Sequence, residues 1–401
     1  MKAFEIIVAG GGPAGLAAAC FMALEGRRVA LVSGTRSPDG DPRTVALMQP
    51  QIRLLAHLGV WPGALKDHVA ALKRLRMVDD TGATLAAPTL TFDPSEIGEE
   101  VFGWNIPLAL LVPALQARCV ELQVETVTAD VSAARASADR IEVDTTGGPY
   151  SAPLAVAADG RKSILREAAG IACRTWAYDQ VAIATSFDHS ASHGGISSEY
   201  HRRAGPLTTV PMAGKRSSLV WMERPARAAE LMALSDHGLA AEIQIATHGE
   251  LGLVSALGPR KAFAMEGLMA QSFAARRIML IGEAAHVAPP IGAQGLNMSL
   301  RDGAQAAEVI AGQSDPGAAG LLRDYDRKRR LDVWPRQQMI DLMNRSLLSG
   351  LMPVDMARAL GLELLGRFGP LRRYVMRQGL GPVSLLPRVM QAHGSSPALL
   401  A

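Results

Sequence analysis

The sequence lacks the signatures of several kinds of enzyme. Its three cysteines, Cys20, Cys119 and Cys173, are widely separated and include no C-x-x-C pair. Such sparse cysteine usage predicts a reducing compartment, with neither a disulfide framework nor a cysteine metal cluster. No H-E-x-x-H, G-x-S-x-G or Walker motif occurs either. We therefore expect no metal site, no activated serine and no nucleoside triphosphate chemistry.

Patterns typical of membrane-spanning and nucleic-acid-binding proteins are also missing. No apolar run reaches the roughly 18 residues that a transmembrane helix needs, and the N-terminus enters a strand at Phe4 without a signal peptide. The net charge is only +3, and no long basic run contains interleaved aromatic residues, so no nucleic-acid partner is expected. We expect a cytoplasmic protein of one large or two medium domains, since 48% of its 401 residues are hydrophobic.

What the sequence does contain begins with a glycine-rich turn. A strand over Phe4–Ala9 leads into Gly10, Gly12 and Gly15, which have G-x-G-x-x-G spacing, and a helical pattern follows. The first glycine permits the tight turn, the second lets a pyrophosphate approach the backbone, and the third allows helix and strand to pack closely. This context predicts a dinucleotide site. Ser33 stands where the fingerprint has an acid, and its hydroxyl would hold a ribose more weakly.

A second stretch, residues 282–302, has the same arrangement of strand, loop and helix. The apolar run Arg277–Ile281 predicts a buried strand, the Pro289-Pro290 pair and Gly292 interrupt regular structure, and a helical pattern follows. Free N–H groups of such a loop and helix start form an anion site that needs no side chain. This arrangement would suit a flat cofactor that becomes anionic when it is reduced. An ordinary α/β crossover with a proline stop is the alternative.

With a central Asp159-Gly160 pair, these two stretches make the sequence resemble the group A FAD-dependent aromatic monooxygenases, which have the para-hydroxybenzoate hydroxylase fold. Within them it is most similar to the hydroxylases of ubiquinone biosynthesis, and the three motifs occur in the same order over nearly the whole chain. The resemblance implies an α/β fold. A Rossmann-like FAD-binding domain of the glutathione-reductase type would carry an inserted antiparallel β-sheet substrate domain and a C-terminal helical region.

The resemblance and the local patterns divide the chain into six segments. The FAD-binding domain is expected at 1–74, 101–172 and 263–315, the substrate domain at 75–100 (a hairpin) and 173–262 (a sheet), and the helical region at 316–401. Local patterns also predict a helix from Asp41 to Leu58, a helix from Asn105 to Val120, and the hairpin over Leu75–Phe92.

The resemblance also implies which residues contact FAD. They are Gly10, Gly12, Pro13, Ala14, Gly15, Ser33, Arg43, Asp159, Gly160, Gly282, Glu283, Pro290, Gly292, Ala293, Gln294, Gly295, Leu296 and Asn297. Among these, Pro290, Gln294 and Gly295 are expected to position the flavin for catalysis, without an obligatory side-chain acid or base. The alternatives are a surface arginine at the start of a helix for Arg43 and a plain turn for Asp159-Gly160.

Other polar residues receive a structural interpretation. Tyr200, His189 and His201 lie in or near strands of the substrate domain, and we interpret each as structural rather than catalytic. Three further positions depart from the family pattern: Glu283 replaces an aspartate, while Ala293 and Ser299 replace glycines. Ala293 is tolerated there if its backbone φ is negative, since only a positive φ would demand glycine. The FAD site is therefore expected to be intact but weaker.

The function that the resemblance implies is hydroxylation of the aromatic ring of a polyprenylated phenol in ubiquinone biosynthesis. In relatives, reduced FAD reacts with O₂ to form a flavin C4a-hydroperoxide that attacks the ring. No second glycine fingerprint marks a separate nicotinamide domain, so either NAD(P)H or reduced ferredoxin is the expected electron donor. Two alternatives stay open: hydroxylation of a soluble aromatic in catabolism or secondary metabolism, and a flavin-poor scaffold subunit of a quinone-biosynthetic complex.

The C-terminal part is rich in Leu and Met, with arginines interleaved. A long helix is predicted from Gly320 to Ser349, and its Arg327–Arg330 run is interpreted as a solvated face. From Met339 to Leu386 the pattern is that of basic amphipathic helices. One interpretation is ordinary packing on the core. The other is contact with the anionic inner face of a membrane, or with a quinone-biosynthetic complex, which would suit a polyprenylated substrate.

Overall fold

The computed structural model describes residues 2–34, 42–83, 87–349 and 351–392. In chain order its strands are β1 (Lys2–Ala3), β2 (Ile6–Ala9), β3 (Val29–Ser33), β4 (Thr44–Met48), β5 (Ala70–Leu72), β6 (Arg74–Asp79), β7 (Leu90–Phe92), β8 (Gly103–Pro107), β9 (Glu125–Thr128), β10 (Val131–Ala136), β11 (Ile141–Thr145), β12 (Gly148–Ala152), β13 (Leu154–Ala157), β14 (Cys173–His189), β15 (Ile196–His201), β16 (Leu207–Met212), β17 (Arg216–Glu223), β18 (Val254–Ser255), β19 (Lys261–Ala270), β20 (Ala274–Ala275), β21 (Ile278–Leu280) and β22 (His286–Val287).

The helices of the same described residues follow in chain order. They are α1 (Pro13–Leu24), α2 (Gln49–His57), α3 (Leu108–Glu121), α4 (Ile164–Ala168), α5 (Pro225–Ala233), α6 (Asp236–Ala246), α7 (Gln294–Ile310), α8 (Ala319–Ser349), α9 (Met352–Arg367) and α10 (Gly369–Leu380).

A six-stranded sheet with the order β20-β21-β13-β2-β3-β9 carries the glycine-rich turn. Every pairing in it is parallel except β20 with β21. Strands β2 and β13 are entirely buried, as expected for parallel strands covered on both faces. Helices α1 and α7 pack against each other beside this sheet, which brings the two glycine-containing stretches together. The Rossmann-like architecture predicted from the sequence is confirmed.

A larger sheet, mainly antiparallel, has the order β22-β19-β14-β17-β16-β15-β6-β7, with β18 paired to β14. The predicted hairpin is confirmed, because Leu75 of β6 faces Phe92 of β7. Strand β19 pairs with β14 from Ala270 back to Lys261. The expected segment boundary at 262 therefore falls inside a strand of this sheet.

Two predicted helices are present, but their predicted starts were wrong, because each predicted range begins as a strand. Residues 44–48 form β4, and the helix α2 starts only at Gln49; Asp41 lies outside the described residues. Likewise 103–107 form β8, and α3 starts at Leu108. The two strands pair with each other, from Thr44↔Pro107 to Met48↔Gly103. This pairing joins segments some sixty positions apart, so local periodicity does not reveal it.

The C-terminal region is helical, as predicted. The 31-residue helix α8 is followed by α9 and α10. The Arg327–Arg330 run is not a uniformly solvated face, however, since Arg329 has no exposed side-chain surface. Along the residues that the structure describes, no helix has both the length and the apolarity needed to cross a membrane.

Candidate functional site

The glycine-rich turn leaves an open space in front of α1. A Cβ at Gly10, where φ is +117°, would lie 2.1 Å from the Ala158 carbonyl oxygen, and one at Gly15 would lie 1.9 Å from Gly10 O. A Cβ at Gly12 would meet nothing within 4 Å. Gly12 caps α1 without any side-chain hydrogen bond, so the first N–H groups of the helix face the open space. This is the geometry of an anion site at a helix start.

Ser33 packs against this turn. A Cβ at Gly11 would lie 2.3 Å from Ser33 Oγ, and that hydroxyl donates a hydrogen bond to the Gly34 carbonyl at 3.2 Å. The serine lies beside the turn, as its place in the fingerprint suggests, but without the charge of an acid.

The second loop contains three residues in the left-handed region: Gly282 (φ +59°), Gly292 (φ +61°) and Ala293 (φ +53°). A negative φ, the condition under which alanine would replace glycine here without strain, is therefore not met at Ala293. A left-handed backbone costs a non-glycine residue roughly 1–2 kcal/mol. Asn297 offsets this cost, because its Nδ2 donates to Ala293 O at 2.6 Å and to Ala46 O at 2.8 Å.

The side chains of Asn297 and Gln294 are engaged within the protein. Asn297 Oδ1 also accepts the Met48 N–H at 2.9 Å, so its amide ties β4 to the start of α7. Gln294 Nε2 donates to Gly292 O at 2.9 Å, and its Oε1 accepts from Arg336 Nη1 at 3.0 Å. What these residues present to a ligand is main chain, and the free donors are the N–H groups of the first turn of α7.

The Asp159-Gly160 pair ends β13 and contributes an unsatisfied acceptor. Asp159 Oδ2 accepts the Leu165 N–H at 3.3 Å, whereas Oδ1 is buried without a partner among the described residues. Burial raises the pKa of Asp159 above its usual value. A Cβ at Gly160, where φ is +83°, would meet nothing within 4 Å. An orphaned carboxylate oxygen next to open space is where a hydroxyl of a sugar or sugar alcohol would donate.

One cavity of about 2500 Å³ joins these features. Every residue expected to contact FAD lines it, from Gly10 and Ser33 through Arg43 and Asp159 to Asn297. The glycine turn, the Asp-Gly pair and the Pro290 loop thus share a continuous space. This volume exceeds the ~300–1,000 Å³ typical of a pocket for one drug-sized ligand.

Beyond the Pro290 loop the cavity runs along the larger sheet, where a polar pair lies. The sequence pattern indicated a structural role for His201 and did not single out Glu199. His201 Nε2 donates to Glu199 Oε1 at 2.8 Å, and Gly292 N–H donates to Glu199 Oε2 at 3.4 Å. His201 Nδ1 is buried with no partner in the described chain. Glu199 and His201 both line the cavity, since residues two apart on a strand share a face. A Glu-x-His pair in β15 was the available signal.

A buried charge cluster lies behind the loop. Asp302 accepts hydrogen bonds from Gly282 N–H (2.9 Å), His286 Nε2 (2.7 Å) and Arg329 Nε (2.7 Å). Burial alone would raise the pKa of Asp302, but the charges of His286 and Arg329 outweigh it and hold the pKa below its usual value. His286 is thereby bound into the cluster. No group of three or more His, Cys, Asp or Glu that could hold a metal ion occurs within 2–34, 42–83, 87–349 and 351–392.

The cluster continues to Asp332, which accepts from Arg301 Nη1 at 2.7 Å and lies 3.3 Å from Arg336 Nη2. Burial alone would raise the pKa of Asp332 too, but Arg301, Arg329 and Arg336 hold it well below the usual value. These pairs connect α7 with α8. Because a buried carboxylate is tolerated only when it is paired and hydrogen-bonded, the cluster fixes the loop between Gly282 and α7 against both helices.

The six-stranded, mainly parallel sheet, the larger, mainly antiparallel sheet and the cavity that they share define a dinucleotide-binding oxidoreductase whose larger sheet faces the cofactor loop. Comparison with known proteins gives the particular family. Residues 3–339 match the family model described as FAD binding domain, so the chain belongs to this FAD-binding family. The predicted class, FAD-dependent aromatic monooxygenases related to the ubiquinone hydroxylases, is confirmed.

Two curated relatives are similar over nearly their full lengths. Ubiquinone hydroxylase UbiL of Rhodospirillum rubrum is 33% identical, over 96% of this chain and 91% of the relative. The 3-demethoxyubiquinol 3-hydroxylase of Escherichia coli is 28% identical, over 94% of this chain and 98% of the relative. Among solved structures, p-nitrophenol 4-monooxygenase PnpA of Pseudomonas putida DLL-E4 has a TM-score of 0.75 at 19% identity, covering 95% of this chain and 99% of that one. This likeness shows a shared fold.

Replacing Gly12 with alanine should weaken FAD binding by about tenfold or more. Its φ of −76° accommodates alanine, but the added Cβ enters the space in front of α1, where a pyrophosphate would approach. The measurement is the flavin-to-protein ratio after purification and the Kd for FAD added to the apoprotein. Gly320→Ala is the matched control, since a Cβ there also meets open space. Equal FAD affinity in the two variants would contradict this assignment.

Proposed function

We propose that the protein hydroxylates the aromatic ring of a polyprenylated phenol in ubiquinone biosynthesis. The names of the curated relatives support this pathway. The observation that carries the proposal is the continuous cavity that runs from the dinucleotide turn past the larger sheet to apolar residues of α8–α10. A soluble phenol would need only the first part of that space.

The residues present fit FAD. The turn at Gly12 would receive the pyrophosphate, the orphaned Oδ1 of Asp159 a hydroxyl, and the first N–H groups of α7 the electron-rich edge of the ring system. Arg43, whose guanidinium lies 5.3 Å from the centre of the Phe263 ring, lines the same space. When bound and reduced by NAD(P)H or ferredoxin, FAD supplies the activation of O₂ from which the ring gains its oxygen.

The chain's own residues would position the substrate and take its proton. Apolar side chains of the larger sheet, among them Ala184, Val210 and Val220, would keep water from the ring. We assign proton removal to His201. With Nε2–H donating to Glu199, the free Nδ1 is an acceptor, so a phenolic O–H that donates to it would lose its proton and the ring would become more nucleophilic.

The proposed reaction is tested with purified protein, NAD(P)H or a reduced ferredoxin system, and O₂. A farnesyl-substituted phenol should be hydroxylated with electron consumption matched to product, and a deletion strain should accumulate a prenylated phenol. If electrons were consumed only with small soluble phenols, and the lipids of the deletion strain were unchanged, the catabolic alternative would be favoured. Purified protein without stoichiometric flavin, the outcome that Ser33 and Ala293 motivate, would instead favour the scaffold subunit.

His201→Gln should lower kcat by about 10²-fold or more at neutral pH while leaving the FAD content unchanged. Activity of this variant should rise with pH, because a phenol that ionises near pH 10 then loses its proton without help. Glu199→Gln should show a smaller loss of the same kind. The control is His237→Gln, on the exposed start of α6. A kcat of His201→Gln equal to that of the control would remove His201 from the reaction.

We further propose that helices α8–α10 contact an anionic membrane surface. Their exposed apolar side chains, which we call the apolar face, include Trp334, Met339, Leu342, Met352, Leu360, Leu364, Phe368 and Tyr374. Residues 339–386 also contain six arginines against two aspartates and one glutamate. An apolar face with excess positive charge suits the interface of an anionic membrane, where each basic residue near the surface contributes about 1 kcal/mol.

Sedimentation with lipid vesicles tests this contact. The protein should pellet with vesicles that contain phosphatidylglycerol and much less with phosphatidylcholine alone, and high salt should release it. Leu360→Glu, at a side chain that is 67% exposed, should reduce the bound fraction several-fold. Ile245→Glu, at an equally exposed site on α6, should not. Failure of the wild type to bind would leave a quinone-biosynthetic complex as the occupant of the apolar face.

A further inference from the structure

The cavity does not end where the ring of the substrate would lie. It continues between the three C-terminal helices, where its walls are mainly apolar and include Met339, Met343 and Leu347 of α8, and Ala357, Leu362 and Leu365 of α9. The stretch of α9 from Val354 to Leu365 that lines it spans about 16 Å at 1.5 Å per residue. This length far exceeds the ring substituent of a small soluble phenol.

The walls of this space are fastened to the substrate domain. Arg358 of α9 donates to Thr81 Oγ1 at 3.1 Å and pairs with Asp355 at 2.9 Å, and Asp355 also pairs with Arg203 at 2.7 Å. Arg372 of α10 pairs with Glu96 at 2.7 Å. The space is therefore a cleft whose sides are tied to the substrate domain by these ion pairs and hydrogen bonds.

The far end of the cleft opens at the apolar face. Met339, Leu342 and Tyr374 line the cavity, and yet they are 57%, 64% and 60% exposed. The charged side chains that line this part, Asp332, Arg336 and Arg358, are all engaged in ion pairs, Arg336 with Asp332 and Arg358 with Asp355. Unpaired charge would disfavour a hydrocarbon, and flexible methionines adapt to an irregular, methyl-branched chain.

We propose that the cleft between α8, α9 and α10 is a binding channel for a long isoprenoid hydrocarbon tail, which enters from the apolar face while the ring lies beside Pro290. This inference rests on the proposed function for the identity of the ring. Its physical basis is the burial of hydrocarbon in an apolar cleft. The channel would let a tail remain partly in the membrane while its ring reaches the reaction site.

A glycine in the channel wall allows a direct test. Gly361 lies in α9 and lines the cavity, and a Cβ there would meet nothing within 4 Å. Gly361→Phe should fill the channel without disturbing the helix. Gly320→Phe in α8 is the matched control, because that glycine is equally open but does not line the cavity. Both variants should keep the FAD content and Tm of the wild type.

Two readouts separate the channel from the reaction. The probe for the channel is farnesol, a tail without a ring, measured by equilibrium dialysis. Gly361→Phe should bind it about tenfold or more weakly than Gly320→Phe. The probes for the reaction are a methyl-substituted and a farnesyl-substituted phenol. Gly361→Phe should lower kcat/KM about tenfold or more for the farnesyl compound only. Equal farnesol affinity in the two variants overturns the channel, whatever the turnover.

The wild type could hydroxylate neither phenol and still bind farnesol, with Gly361→Phe binding it more weakly. In that case the proposed function fails and the channel stands.

A photoreactive farnesol analogue serves as a second measurement on the unaltered protein. Its crosslinks should map to peptides of α8–α10. Labelling of other peptides, or labelling that an excess of farnesol does not prevent, would overturn the channel. This holds even if Gly361→Phe failed to fold.

Discussion

A buried carboxylate holds the loop on which the site depends. Asp302 has no solvent exposure, and it accepts hydrogen bonds from Gly282 N–H, His286 and Arg329. The loop between Gly282 and Gln294 has little regular structure, so its own backbone bonds cannot make it rigid. Since an unpaired buried charge is costly, the chain must supply these partners, and their geometry fixes the loop against α7 and α8. In the proposed site, a cofactor ring would then meet main-chain donors already in place.

Helix α8 also connects the cofactor loop with the C-terminal cleft. Arg336 of α8 binds Gln294 Oε1 at 3.0 Å and the Gln378 carbonyl of α10 at 2.9 Å, while pairing with Asp332. One turn further along α8, Met339 faces the cleft. The inner arginines of α8 therefore support the loop, and its outer apolar residues form the wall of the proposed channel. In this proposal, substrate entry and cofactor position both depend on α8.

The sequence predicts those features that depend on the local backbone conformation, which glycine and proline residues reveal. Gly10, Gly12 and Gly15 mark a turn that only glycine permits at two of its positions, and the proline-rich loop before Gln294 is equally local. It does not predict what long-range packing decides. The pairing of β4 with β8, the burial of Arg329 and the positive φ of Ala293 all depend on partners far away in the chain. Glu199 was missed because its role depends on Gly292, which lies opposite it only in the folded protein.

The central claim is that one dinucleotide lies between two chain segments about 270 positions apart and is held by main-chain N–H groups of both. Hydrogen exchange of the apoprotein with and without added FAD tests this directly. The account predicts that the backbone amides within 11–15 and within 294–296 become protected together, at the same FAD concentration. Protection of one segment without the other, or of neither, would contradict it.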